Sequence, residues 1–217
     1  LLLPRYANCG VTPMDEISEP QDAPILIAGF GRYGQIVSRV LLAQGQPCTV
    51  LDHDAEMIEA ARRFGYRVFY GDATRLDLLR TAGAERAKVL VVAVDNVTQS
   101  LEIVDLAREH FPHLQIVARA RDVTHWNQLR DREVMLVQRE LFESSLLSAR
   151  SVLELIGQPR EAAEQVIHRF RQHNLELFEQ LHPYYKDSAK LISVVKQGRQ
   201  QLEEQMARER EDQARRT

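Results

Sequence analysis

The sequence predicts a Rossmann-like α/β fold: a doubly wound parallel sheet of six strands, followed by an all-helical C-terminal extension. Three observations predict it. Short apolar runs alternate with stretches of helical apolar spacing from residue 25 to residue 139, the rhythm of strand–crossover–strand units. The first run leads straight into Gly29-Phe30-Gly31-Arg32-Tyr33-Gly34, a Gly-x-Gly-x-x-Gly turn between strand and helix, which is the context a dinucleotide fingerprint requires. From residue 141 onward only helical periodicity remains.

Residues 1–23 hold three prolines and scattered acids and read as a linker, partly disordered. Ile25–Ala28 is the first strand and Gln35–Leu42 the helix after it. Gly29 makes the sharp turn, Gly31 lets a phosphate approach the backbone, and Gly34 allows close helix–strand packing. The phosphate then meets the N–H groups and positive dipole end of the helix, with Arg32 inside the loop to reach it. Cys48–Leu51 is the second strand, ending in Asp52 and His53; Asp52 lies 23 positions after Gly29, near the ~20 expected of an acid that accepts from ribose hydroxyls. A carboxylate there repels a 2′-phosphate and so favours adenosine or NAD-type ligands over NADP.

A helix spans Ala55–Phe64 and a third strand Arg67–Tyr70. Gly71-Asp72-Ala73-Thr74 then falls at the carboxyl end of a strand, where nucleotides bind in this architecture. Asp72 or Thr74 could equally cap the next helix, and one residue can do both. Lys88–Val94 is a strand buried on both faces, and residues 97–110 are a helix. Gln115–Ala118 is the fifth strand, ending at Arg119; helix 123–131 and a sixth strand, Val134–Val137, follow. The extension holds helices over 141–156, 160–181 and from about Ser188, with a polar tail from Glu203 that frays. Its apolar stripes exceed what a closed Rossmann unit leaves to cover them, which predicts a homodimer.

A net charge of −3 gives no sign of a nucleic-acid partner. Cys9 and Cys48 have neither metal-ligand nor disulfide spacing, consistent with a reducing cytosol. No apolar run reaches the ~20 residues that span a bilayer. A dehydrogenase needs a substrate domain and a proton-transfer residue. Here the histidines are scattered, and His168 and His173, five apart, do not share a helical face well. The pattern favours a sensor over an enzyme, with a small NAD-dependent oxidoreductase as the rival. Arginines 32, 39, 119, 121 and 139 suit carboxylate ligands through their planar forks, or are solvated or paired with Glu140, Glu143 and Asp122.

Several motifs carry a family resemblance: residues 27–37 (Ile-Ala-Gly-Phe-Gly-Arg-Tyr-Gly-Gln-Ile-Val), Tyr70–Thr74, Leu78–Ala84, His110–Leu114, Ala118–Arg121 and Arg171–Asn174. Together they resemble the cytosolic KTN/RCK regulatory domain of Kef-type glutathione-gated potassium efflux systems. The resemblance implies a homodimeric domain of an inner-membrane potassium/proton antiporter, joined to the membrane part in one polypeptide. It implies AMP or NAD(H) in the Rossmann cleft, held by Gly29, Gly31, Arg32, Tyr33, Gly34, Asp52, His53, Asp72, Ala73 and Arg119. It implies glutathione as regulatory ligand near the dimer interface, contacted by Arg39, Arg139 and Asn174, with Phe64 the aromatic that a bulky adduct displaces and Lys190 a further contact. The family also includes a flavodoxin-like quinone-oxidoreductase subunit that docks on this domain.

Overall fold

The computed structural model describes residues 17–63 and 65–214, apart from some side chains in the last helix. They form two compact units that divide between Glu140 and Leu141. In the first unit β1 (Ile25–Ala28), β2 (Cys48–Asp52), β3 (Val68–Tyr70), β4 (Val89–Val92), β5 (Gln115–Ala120) and β6 (Leu136–Arg139) alternate with α1 (Arg32–Ala43), α2 (Ala55–Arg63), α3 (Leu76–Thr81), α4 (Val97–His110) and α5 (Val123–Arg130). The strands lie in the order β3-β2-β1-β4-β5-β6, and all five pairings are parallel. The predicted six-stranded doubly wound sheet is therefore the observed one. Because the chain winds outward from β1 to β2 and β3 and then crosses back to place β4 on the other side of β1, a crevice opens above the carboxyl end of β1.

Burial explains the strand sequences. Leu26, Ile27 and Ala28 of β1 and Leu90 and Val92 of β4 are fully enclosed, as central parallel strands covered on both faces must be. Each large aliphatic side chain so enclosed contributes about 1.5–3 kcal/mol. Phe30, also fully buried, joins Ile58, Ala61 and Val68 in the core.

Several boundaries differ from expectation for identifiable reasons. Helix α1 begins at Arg32, so the second half of the glycine motif is already helical. Strand β6 begins at Leu136 instead of Val134. Val134 is buried in the preceding turn, while Met135 and Leu136 are exposed at the sheet edge. Neither Asp72 nor Thr74 caps α3, whose N-cap is Arg75 without a side-chain bond. Instead Asp72 Oδ1 accepts from the Thr74 N–H and from Thr74 Oγ, both at 2.9 Å, closing an Asx turn.

The linker reading fails for its last residues, while residues 1–16, with Cys9, lie outside the described residues. Ile17 and Gln21 are buried. The Ile17 N–H donates to the Tyr70 carbonyl at 3.2 Å and the Gln21 N–H to the Thr81 carbonyl at 2.8 Å. Proline and acid content hid this docking, because its backbone and side-chain contacts join segments far apart in sequence, which composition does not report.

The second unit consists of α6 (Phe142–Leu155), α7 (Arg160–Leu181), a 3-10 turn at His182–Tyr184 and α8 (Ser188–Ala214). Leu146, Ala163 and Ile167 are buried where α6 meets α7. The Arg171 fork bonds both Glu143 oxygens at 2.8–3.2 Å, so Glu143 pairs within this unit and not with the arginines at the sheet edge. A Cβ on Gly198 would stand 2.7 Å from Leu177 Cδ1, which marks the close approach of α8 to α7. Helix α8 runs to Ala214 where fraying was expected; its Glu, Gln, Ala and Arg residues are good helix formers. Leu155 and Ile156 are 86% and 72% exposed. At the start of this unit Leu141 adopts a left-handed conformation, φ 67°.

Candidate functional site

A cavity of about 780 Å³ occupies the crevice, lined by the glycine loop and the carboxyl ends of β2, β3 and β4. Its size falls within the usual range for ligand pockets, roughly 300–1,000 Å³. Gly29 has φ 101°, and a Cβ there would lie 2.9 Å from the Ala93 carbonyl carbon and the Val94 nitrogen. Only glycine fits, because the loop passes directly over the end of β4. A Cβ on Gly34 would collide with the Gly29 carbonyl. At Gly31 a Cβ would meet nothing within 4 Å, so this glycine serves the open side of the crevice and not the packing of the chain. Gly31 is also the N-cap of α1, with no side-chain cap and no acid in the helix's first turn. The positive end of the helix is thus offered to an anion, with Arg32 beside it on the lining.

Asp52 is anchored by the loop it faces. Its Oδ2 accepts from the Phe30 N–H at 2.5 Å and its Oδ1 from the Asp54 N–H at 2.8 Å. The carboxylate therefore holds the glycine turn to β2, and it lines the crevice with acceptor capacity to which vicinal hydroxyls can donate. Asp54, Asp72 and Asp95 also line the cavity. Anion binding is restricted by this arrangement to the α1 end, and the β2 side suits an uncharged sugar.

Gly29, Gly31, Arg32, Asp52, His53, Asp72 and Ala73 come together on the lining as the sequence suggested. Tyr33, Gly34 and Arg119 do not line it. Gly34 is spent on packing. Arg119 lies behind the loop, 6% exposed, bonded to Asp95 Oδ1 at 2.5 Å and Glu140 Oε2 at 2.7 Å. Its guanidinium stands 5.8 Å from the Tyr33 ring centre. Burial works against its charge, and the hydrogen bonds it donates to Glu140 and Asp95 outweigh that, so its pKa is raised. Arg119 is thus paired with Asp95 and Glu140 and is not among the residues that line the cavity.

Of the residues assigned to glutathione, Arg39 lies on the exposed face of α1 and Arg139 ends β6, half-buried. Asn174 is half-buried on α7. Lys190 Nζ is 3.7 Å from Asp187 Oδ2 and 5.6 Å from the Tyr184 ring centre, so local partners engage it. Phe64 lies outside the described residues. Arg39 and Arg139 belong to the first unit, Asn174 and Lys190 to the second.

Residues 25–138 match the TrkA-N domain family. This chain belongs to that family. Beyond its TrkA-N unit, residues 144–217 match the C-terminal domain of the potassium efflux system KefB, and the two matches together mark a Kef-type regulatory domain. The glutathione-regulated potassium-efflux system protein KefC of Salmonella arizonae is 45% identical over 197 residues, 91% of this chain. The chain spans about a third of that relative's length, 32%. Among solved structures, the Shewanella denitrificans Kef CTD in AMP-bound form is 42% identical with a TM-score of 0.68, covering 73% of this chain and 97% of that one. The TrkA-N domain of the Escherichia coli inner membrane protein ybaL is 28% identical with a TM-score of 0.54, over 61% and 96%.

Sequence reasoning gave no role to several lining residues of the TrkA-N unit: Gln35, Asp54, Met57, Asp95, Asn96 and Gln99. Asp95 and Asn96 carried a usable signal, since they follow the carboxyl end of β4, the strand on the other side of β1 from β2. Gln35 and Met57 carried none, because they meet across elements, Gln35 Nε2 to Met57 Sδ at 3.1 Å. Among the described residues no group of His, Cys, Asp and Glu is placed to hold a metal ion, and no helix is long and apolar enough to cross a membrane.

Proposed function

We propose that this chain is the ligand-sensing domain of a Kef-type potassium efflux antiporter, binding AMP or NAD(H) in the crevice and transforming neither. One observation carries the reading: 97% of a Kef domain described with AMP bound aligns with this chain at 42% identity. The crevice has the chemistry such a ligand needs. The phosphate belongs at Gly31 and the first turn of α1, beside Arg32, and the ribose at Asp52.

Glutathione or its conjugates form the second ligand of the proposal, contacted by Arg39, Arg139 and Asn174 in a homodimer. Two guanidinium forks and an amide match the two carboxylates and peptide groups of that tripeptide. The polypeptide continues into an inner-membrane antiporter part, and gating follows from the difference in ligand affinity between two arrangements of the domain.

Gly31→Val tests the nucleotide site, since a Cβ there meets no protein atom within 4 Å and the added side chain would stand in the proposed phosphate approach. Calorimetry with AMP should show at least ten-fold weaker binding at an unchanged unfolding temperature of the free protein. Equal affinity in both proteins would remove the crevice from the reading. Arg139→Ala should weaken glutathione in the same assay and leave AMP unaffected. Turnover of NADH with carbonyl or quinone acceptors would return the oxidoreductase reading to first place.

A further inference from the structure

The segment that enters the first unit is built against the back of the crevice wall. Ile17, 5% exposed, donates its N–H to the carbonyl of Tyr70, the last residue of edge strand β3. The next residue, Gly71, lines the crevice. A Cβ on Gly71 would meet Leu78 Cδ1 at 3.2 Å, Leu51 Cδ2 at 3.3 Å and Ile17 Cγ2 at 3.9 Å. A single residue of backbone thus separates Ile17 from the ligand space.

Four residues on, Gln21 is a hub. Its N–H donates to the Thr81 carbonyl at 2.8 Å, its Oε1 accepts from Arg67 at 3.0 Å and its carbonyl from Arg86 at 2.9 Å. The domain leaves room for this path. Gly83 has φ 95°, and a Cβ there would lie 2.5 Å from the Gln21 carbonyl oxygen. At the end of the segment the Pro24 carbonyl accepts from the Lys88 N–H at 2.8 Å. Residues 17–24 are therefore a strap fixed at β3, α3 and β4, with its first anchor on the wall that a nucleotide would touch.

We infer that this strap is a coupling element. A nucleotide in the crevice stiffens Gly71-Asp72-Ala73, and the stiffened wall holds Ile17 and Gln21 in place; strap docking in turn tightens nucleotide binding by the same factor, as linkage demands. The occupied crevice thereby holds the chain in place as far back as Ile17. The inference rests on the proposed nucleotide reading, and the test separates the two.

Amide hydrogen exchange is followed at Ile17 and Gln21 in the full chain, with and without AMP at a concentration that calorimetry shows to be saturating. Both amides should exchange at least five-fold more slowly with AMP, the low end of usual coupling, while amides of α7 stay unchanged. Ile17→Ser should weaken AMP at least five-fold with the same far-ultraviolet dichroism. Unchanged exchange at Ile17 in a saturated sample overturns the coupling, as does a folded Ile17→Ser chain that binds AMP like the parent. If Ile17→Ser fails to fold, exchange in the unaltered chain decides alone. No heat with AMP in the unaltered chain is a different result: it removes the nucleotide reading, and the strap's role with it.

Discussion

Arg119 shows how a residue type can be legible while its task is not. An arginine at the end of a central strand invites a ligand reading. The sequence also offered Glu140 as a partner for such an arginine, and the fold pairs the two and adds Asp95. Arg119→Met leaves Glu140 half-buried without its cation, and urea titration should show a loss of ~3 kcal/mol, toward the low end for broken buried pairs because Asp95 stays solvated. Adding Glu140→Gln should recover most of it. His125, 2% exposed, gives a pH prediction. Its Nδ1 accepts from the Arg121 N–H at 3.2 Å, so Nε2 carries the proton toward Ser100 Oγ, also at 3.2 Å. Burial depresses its pKa, with Arg119 and Arg132 adding to that and Asp122 opposing it. The unfolded imidazole, near 6.5, then takes up a proton before the folded one does. His125 should therefore cost stability as pH falls through ~6.5 toward its folded pKa and nothing above that range. His125→Gln should flatten that part of the stability curve measured by denaturant unfolding. Asp52 was legible from its spacing to Gly29, but its bond to the Phe30 N–H was not, since one carboxylate oxygen serves the turn and the other the chain beyond β2.

At the level of elements, the central strands and long helices were readable because one property decided each. Continuous apolar runs gave β1, β2 and β4, and helical spacing gave α4 and α7 with their observed bounds. The edges were less readable. On β6 exposed and half-buried positions alternate, so the buried Val134 drew the strand two residues early. The start of α3 depends on an Asx turn that looks like a cap in sequence. True caps act elsewhere. Asn96 Oδ1 accepts from the Gln99 N–H at 3.1 Å at the start of α4. Asn96→Ala should cost ~1 kcal/mol in chemical denaturation, the usual worth of an N-cap. A change within error would mean that backbone contacts alone fix that helix end.

For the whole molecule, the fold class and the nucleotide crevice were present in the sequence because local patterns specify both. Contacts between distant segments were not, and the docked strap is the main example. Association is the other whole-molecule property. On α6 and just beyond it Leu147, Val152, Leu155 and Ile156 are exposed, and a proposed homodimer gives such side chains a partner. Leu155→Glu with Ile156→Glu should convert a dimer to a monomer in sedimentation, without loss of helix by circular dichroism. An unchanged mass would move the contact to another face. Where the two units join, the chain is pinned on both sides: the Glu140 N–H donates to the Ala120 carbonyl and the Leu141 carbonyl accepts from the Ser145 N–H, each at 2.8 Å. Between those anchors Leu141 has a positive φ that a leucine adopts only at a cost of about 1–2 kcal/mol. Leu141→Gly would relax that torsion, so the leucine side chain imposes a local toll on the backbone between these two anchors that a residue without a Cβ escapes.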